Sequence, residues 1–199
     1  MKVIGLTGGI GSGKTQVCTY LQEKYKAEII MADDVGHELM EPGTECYRQL
    51  RGIFSEEYIL ENGSLDRKKI GQVAFRQPEI LEKMNSIIHP AVWNEVTERI
   101  DRARVKGAPI LIFEAALLLG TAYREICQEF WYVYAQREVR LKRLQEGRNI
   151  SKERAESVMK SQPSEEEIRK GCDFVIDNSG FFSDTAKVID KKLLEGYLQ

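Results

Sequence analysis

Residues 8 to 15 read Gly-Gly-Ile-Gly-Ser-Gly-Lys-Thr, and Gly8, Gly13, Lys14 and Thr15 satisfy the spacing G-x-x-x-x-G-K-[ST]. That spacing grips phosphate. Glycines let the main chain turn its N–H groups inward around phosphate oxygens, where side chains would block the approach. Lys14 is placed to reach the β- and γ-phosphates of a nucleoside triphosphate, and the Thr15 hydroxyl to hold Mg²⁺. The whole loop, Gly8, Gly9, Ile10, Gly11, Ser12, Gly13, Lys14 and Thr15, is therefore expected to bind ATP. A plain glycine turn beside an exposed lysine is the alternative. Against it, the strand-like run Val3 to Thr7 precedes the loop and a helical stretch, Gln16 to Tyr25, follows it.

An enzyme that passes phosphoryl to an alcohol also needs a carboxylate to take the hydroxyl proton. Asp33 follows the second apolar run, and the carboxyl ends of neighbouring parallel strands open onto one crevice, so Asp33 is the candidate base. Asp34 is its substitute or a helix cap. Asp33-Asp34-Val35-Gly36 also reads D-x-x-G, as in a GTPase, but no N-K-x-D for guanine follows anywhere in the chain. Glu114 ends the third run, where an acid would order a Mg²⁺ shell through water or merely close a strand.

The elements that must position these groups are legible in the apolar pattern. Val3–Thr7, Glu28–Met31, Ile110–Glu114, Phe130–Tyr134 and Phe174–Asp177 are short runs, apolar throughout rather than alternating, as in a parallel sheet covered on both faces. They predict a doubly wound α/β core of about five strands, of the P-loop nucleoside triphosphate hydrolase type, with a helical insertion and a helical lid. In the long stretch after the second run, Leu81, Met84, Ile87 and Ile88 suggest one helix after Pro78, and Trp93, Val96, Ile100 and Ala103 a second, begun near Pro90 and closed by Gly107. Residues 137 to 170 read as a charged helical hairpin with Gly147 as a stop, Ser151 as a cap and a capping box from Ser164 to Glu167. Leu141 and Leu144 would face inward, leaving Arg140 and Arg143 close together. A final helix is expected to be capped by Ser183 and to bury Ile189, Leu193, Leu194 and Tyr197. The predicted division is 1–33, 107–136 and 171–199 for the nucleotide core, 34–106 for the helical insertion and 137–170 for the lid.

With 42% apolar residues among 199, the chain can bury a core without staples. Its net charge of −2, with basic and acidic residues mixed, argues against nucleic acid as the main partner. Cys18, Cys46, Cys127 and Cys172 lie far apart without a C-x-x-C pair and read as reduced, mostly buried thiols. No basic and apolar leader opens the chain, and no stretch approaches the roughly 20 apolar residues of a membrane span. The expectation is a cytoplasmic monomer without a membrane partner.

The stretches "GLTGGIGSGKT", "ADDVGHELMEPGT", "LDRKKIGQVAF", "NSIIHPAVW" and "CDFVIDNSG", in this order, resemble the dephospho-coenzyme A kinases. That resemblance implies ATP and Mg²⁺, dephospho-CoA as acceptor and Asp33 as general base. It places His37, His89 and Leu117 at or near the acceptor pocket, Arg143 and Arg140 on ATP phosphate, and Asn178 and Gly180 against adenine. Solvated or structural roles stand beside these for Arg140, His37 and His89, and a simple turn for "DNSG".

The chain departs from the family pattern in several places. Met31 replaces the first carboxylate of D-A-D, and Ala116 and Gly120 replace a proline and a glutamate. Arg140 takes a glutamine's position, and Gly147 precedes a shifted Arg148. Two rivals remain: a kinase of another small-molecule or nucleoside-monophosphate acceptor, and a nucleotide-gated binding protein without efficient transfer.

Overall fold

The computed structural model describes residues 1–116, 122–148 and 150–196, with Arg148 as backbone only. Leu117, Gly120 and Tyr197 therefore lie outside the described residues.

Runs of β-branched and aromatic residues form β1 (Lys2–Thr7), β2 (Glu28–Met31), β3 (Ile110–Glu114), β4 (Glu129–Tyr134) and β5 (Phe174–Asp177). They make one sheet in the order β2-β3-β1-β4-β5. β1 runs parallel to both β3 and β4, and β4 parallel to β5. Because β1 is central and the chain winds to either side of it, its carboxyl end is the switch point where α/β sheets bind ligands. The register levels Leu6 with Glu114 and Thr7 with Tyr132, so three strand ends meet at the loop that follows β1.

Between the strands lie α1 (Lys14–Tyr25), α2 (Ala32–Leu39), α3 (Glu45–Arg51), α4 (Arg67–Arg76) and α5 (Pro78–Val105). After β4 come α6 (Arg137–Arg148), α7 (Lys152–Lys160) and α8 (Glu165–Gly171), and after β5 comes α9 (Phe182–Gly196). The chain divides into two compact units, residues 1–29 with 103–199, and residues 30–102. In the first, Ile4, Leu6, Val17, Leu21, Trp131 and Ile189 belong to a fully buried core that joins the sheet to α1 and α9. Asp190 clasps the same two helices from outside, accepting from Tyr20 at 2.5 Å, Tyr25 at 2.6 Å and Lys24 at 2.7 Å. The second unit has its own core of Tyr47, Leu50, Phe54, Leu65 and Ile70.

Several local expectations are corrected. The two helices expected on either side of Pro90 are one, because α5 runs through it. A proline inside a helix removes one hydrogen bond at a cost of roughly 3 kcal/mol, and burial of Met84, Val92, Val96 and Ile100 along the same rod opposes that cost. Leu81 is exposed rather than inward. Gly147 lies inside α6 instead of ending it. Ser183 sits within α9, one residue past its start, and Leu194 is 57% exposed while Ile189 and Leu193 are buried. The Ser151 cap and the Ser164–Glu167 capping box both form, since each hydroxyl accepts the otherwise free amide three residues on, Arg154 and Glu167 respectively.

Candidate active site

The turn after β1 carries few side chains because there is no room for them. A Cβ on Gly8 would stand 2.5 Å from the Val133 carbonyl oxygen and 2.7 Å from Ser12 Oγ. Gly13 has φ +95°, and a Cβ there would overlap the Asn178 amide nitrogen. Gly13→Ala adds backbone strain of roughly 1–3 kcal/mol to that collision. It is expected to lower the unfolding midpoint and weaken ATP binding together, read by calorimetry with and without nucleotide; parental values in both would contradict the packing described.

Lys14 opens α1, where the helix N-terminus adds its own partial positive charge. Its Nζ donates to the Gly8 carbonyl oxygen at 2.9 Å and pairs with Glu114 Oε1 at 3.5 Å. Glu114 is 4% exposed, so its charge is tolerable only with such partners nearby. Ser12 Oγ is buried without a hydrogen-bond partner among the described residues. A buried hydroxyl is costly unpaired, and a ligand that brings acceptor oxygens into the loop suits it.

Thr15 is exposed at the head of α1. Among the described residues, no group of three or more His, Cys, Asp or Glu side chains could hold a metal by itself. Mg²⁺ keeps most of its waters and takes phosphate oxygens, so one hydroxyl and one carboxylate fit an ion that arrives with a nucleotide.

Two arginines of α6 reach this loop. Arg143 donates from Nη1 to the Ser12 carbonyl oxygen at 3.2 Å and from Nη2 to the Asn178 carbonyl oxygen at 2.9 Å. Asn178, fully buried after β5, donates from Nδ2 to the same Ser12 oxygen at 2.8 Å and accepts from Thr185 at 3.0 Å. Arg140 is half-buried: its Nε donates to the Ile10 carbonyl oxygen at 2.8 Å, and its guanidinium lies so close over Gly9 that a Cβ there would overlap it. Burial lowers its pKa from the ordinary arginine value. The solvated reading of Arg140 is thereby overturned. Gly180 is exposed, with open space where a Cβ would stand.

In the other unit, Asp33 and Asp34 occupy the first turn of α2, both exposed. Neither is its cap, which is Met31, and no side chain caps that helix. His37 is exposed on α2 and His89 exposed within α5, not at a helix end. Leu117 falls outside the described residues. None of the four cysteines is in a disulfide. Burial first, with the Glu114 charge second, pushes the Cys18 thiol up to about 12, and burial does the same for Cys127, so neither is a nucleophile at neutral pH.

Two features escaped the sequence reading. Gln162, between α7 and α8, touches the phosphate loop at Ile10, and only a lone glutamine ahead of a capping box marked it in the sequence. A groove of about 480 Å³ starts at Thr15 and follows the outer face of α1 past Gln16 and Thr19, with the edge-to-face rings of Tyr20 and Phe182 beside it. The spacing of Gln16, Thr19, Tyr20 and Glu23 on one helical face carried that signal, but polar residues on a helix face ordinarily mean only solvent.

A family model described as dephospho-CoA kinase matches residues 2–184. The dephospho-CoA kinase of Dehalococcoides mccartyi is 35% identical over 184 residues, 92% of each chain. That of Geobacter metallireducens is 36% identical over 190 residues, 95% of this chain and 94% of its own. Among solved structures, a Thermus thermophilus protein aligns with TM-score 0.82 at 27% identity over 98% of this chain and 97% of its own. The shikimate kinase of Acinetobacter baumannii aligns at TM-score 0.56 and 21% identity, over 100% of this chain and 96% of its own, which shows a shared fold. With the phosphate loop, its lysine–glutamate pair and a match over nearly the whole length, the chain belongs to the dephospho-CoA kinase family.

Proposed function

We propose that this chain transfers the γ-phosphoryl of ATP to the ribose 3′-hydroxyl of dephospho-CoA, giving coenzyme A and ADP, the last step of coenzyme A biosynthesis. The observation that carries this reading is Lys14, held between the Gly8 carbonyl and Glu114 at the head of α1, in a chain of this family. The loop from Gly8 to Thr15 cradles the triphosphate with its remaining amides, the Ile10 amide being held by Gln162, and Lys14 leaves its internal partners for the β- and γ-phosphate oxygens. Arg143 and Arg140 clamp phosphate oxygens as charge builds in the transition state. Asp33 accepts the proton of the 3′-hydroxyl. Thr15 and, through water, Glu114 would hold Mg²⁺, which when bound would neutralise charge on the transferring phosphoryl.

Asn178 and Gly180 lie along the adenine, and the groove beside Gln16, Tyr20 and Phe182 receives the nucleoside where it leaves the Thr15 end of the loop. Residues 1–33, 107–136 and 171–199 act as the nucleotide core, 34–106 with His37 and His89 as the acceptor-binding part, and 137–170 as a lid that excludes water as a competing acceptor. The protein works as a cytoplasmic monomer without nucleic acid or membrane; among the described residues, no helix is long and apolar enough to cross one.

The test is ADP release in a coupled assay over a panel of acceptors. Dephospho-CoA is expected to be phosphorylated in strong preference to nucleoside monophosphates and shikimate. Preference for a nucleoside monophosphate, or hydrolysis indifferent to acceptor, would overturn the assignment.

A further inference from the structure

Ile10 gives every group it has to the segment after β4. Its side chain packs against the cluster of Leu141, Leu144 and Ala155, its carbonyl oxygen accepts from Arg140 Nε at 2.8 Å, and its amide donates to Gln162 Oε1 at 3.0 Å. Gln162 Oε1 also accepts from Arg140 Nη2 at 3.1 Å, closing a three-membered ring of phosphate loop, α6 arginine and glutamine. The ring stands at the rim of a cavity of about 410 Å³ lined by Arg137, Arg140, Glu156, Lys160, Gln162 and Glu165, among others.

The geometry points to Gln162 as a positioning residue for phosphoryl transfer, one that acts through Arg140. An arginine on four flexible carbon–carbon and carbon–nitrogen bonds loses considerable rotamer entropy when it is fixed, and one acceptor would leave its plane free to swing. Two acceptors on two nitrogens, Ile10 oxygen at Nε and Gln162 oxygen at Nη2, set that plane over Gly9, where a side chain would exclude it. The Nη1 edge makes neither bond of the ring, so the guanidinium is oriented while one edge is spare for an anion. Gln162 is itself anchored by the Ile10 amide, so Arg140 is indexed to the phosphate loop rather than only to its own helix. Only the acceptor oxygen of Gln162 takes part in these contacts. A carboxylate at this position can therefore do the same work and a methyl group cannot.

This inference rests on the reading of Arg140 as a clamp on donor phosphate. The test compares Gln162→Ala, Gln162→Glu, Arg140→Ala and the Gln162→Ala/Arg140→Ala double variant, with kcat and KM for ATP at saturating dephospho-CoA and thermal melts. Gln162→Ala is expected to lower kcat about tenfold with KM for ATP within about twofold, and to add little to Arg140→Ala, as coupled partners do. Gln162→Glu is expected to restore kcat to within about threefold of the parent. An Arg140→Ala defect beside a parental Gln162→Ala, or additive losses in the double variant, would overturn the inference and leave the clamp standing. A parental kcat in Arg140→Ala would overturn both.

Discussion

Lys14→Met should abolish measurable transfer, with kcat falling by at least about 10²–10³-fold, the scale lost when one preorganised donor to a developing anion is removed. Lys14 is the one cation whose charge lies inside the phosphate loop by virtue of the loop's own sequence. It also shields Glu114, a carboxylate only 4% exposed, at 3.5 Å. Removing it takes a partner from a buried acid, so the variant should melt at a lower temperature as well as lose activity. The two losses can be separated. Glu114→Gln in the Lys14→Met background removes the charge that lost its lysine and should recover part of the melting temperature, while turnover stays absent. Recovery of turnover in that double variant, measured by ADP release, would show that Lys14 serves only to balance Glu114.

Asp33→Asn is expected to cut turnover by about 10²–10⁴-fold, the usual worth of a general base, while ATP binds as before. The substitution keeps shape and removes basicity. Asp33 is exposed in the first turn of α2 and caps nothing, so its structural contribution is limited to the helix dipole, about 0.3–1 kcal/mol. A large kinetic defect with a near-parental melt would therefore report chemistry and not folding. Asp34, one residue on and equally exposed, is the control: Asp34→Asn should lose a similar sliver of stability and little activity. Titration calorimetry with ATP and steady-state turnover with dephospho-CoA are the two measurements. Phosphorylation by Asp33→Asn at the parental rate would remove Asp33 from the mechanism.

Arg140, which the sequence left ambiguous, and its neighbour Arg143 show how context assigns a role. Arg140 and Arg143 are three apart on α6, and spacing alone allows both to be solvated. Arg143 is drawn in because Ser12 and Asn178 present two carbonyl oxygens to it, and Arg140 because Ile10 and Gln162 do the same. Their acceptors come from positions more than a hundred residues away or from loops without periodicity, so no local pattern could announce them.

By itself, the sequence determined the five strands, the phosphate loop and the family, because each of these is a short-range property. Buried parallel strands must be apolar on both faces, and a backbone that wraps phosphate must be nearly bare of side chains. It also determined the caps at Ser151 and Ser164, where a hydroxyl meets an amide three residues on. Only the tertiary structure decided that α5 runs unbroken through Pro90, that Leu194 faces solvent, that Glu114 meets Lys14 and that Gln162 holds Arg140 to Ile10. Those outcomes depend on which distant groups bury or satisfy one another, and several buried contacts worth a few kcal/mol each override local preferences of about one to three.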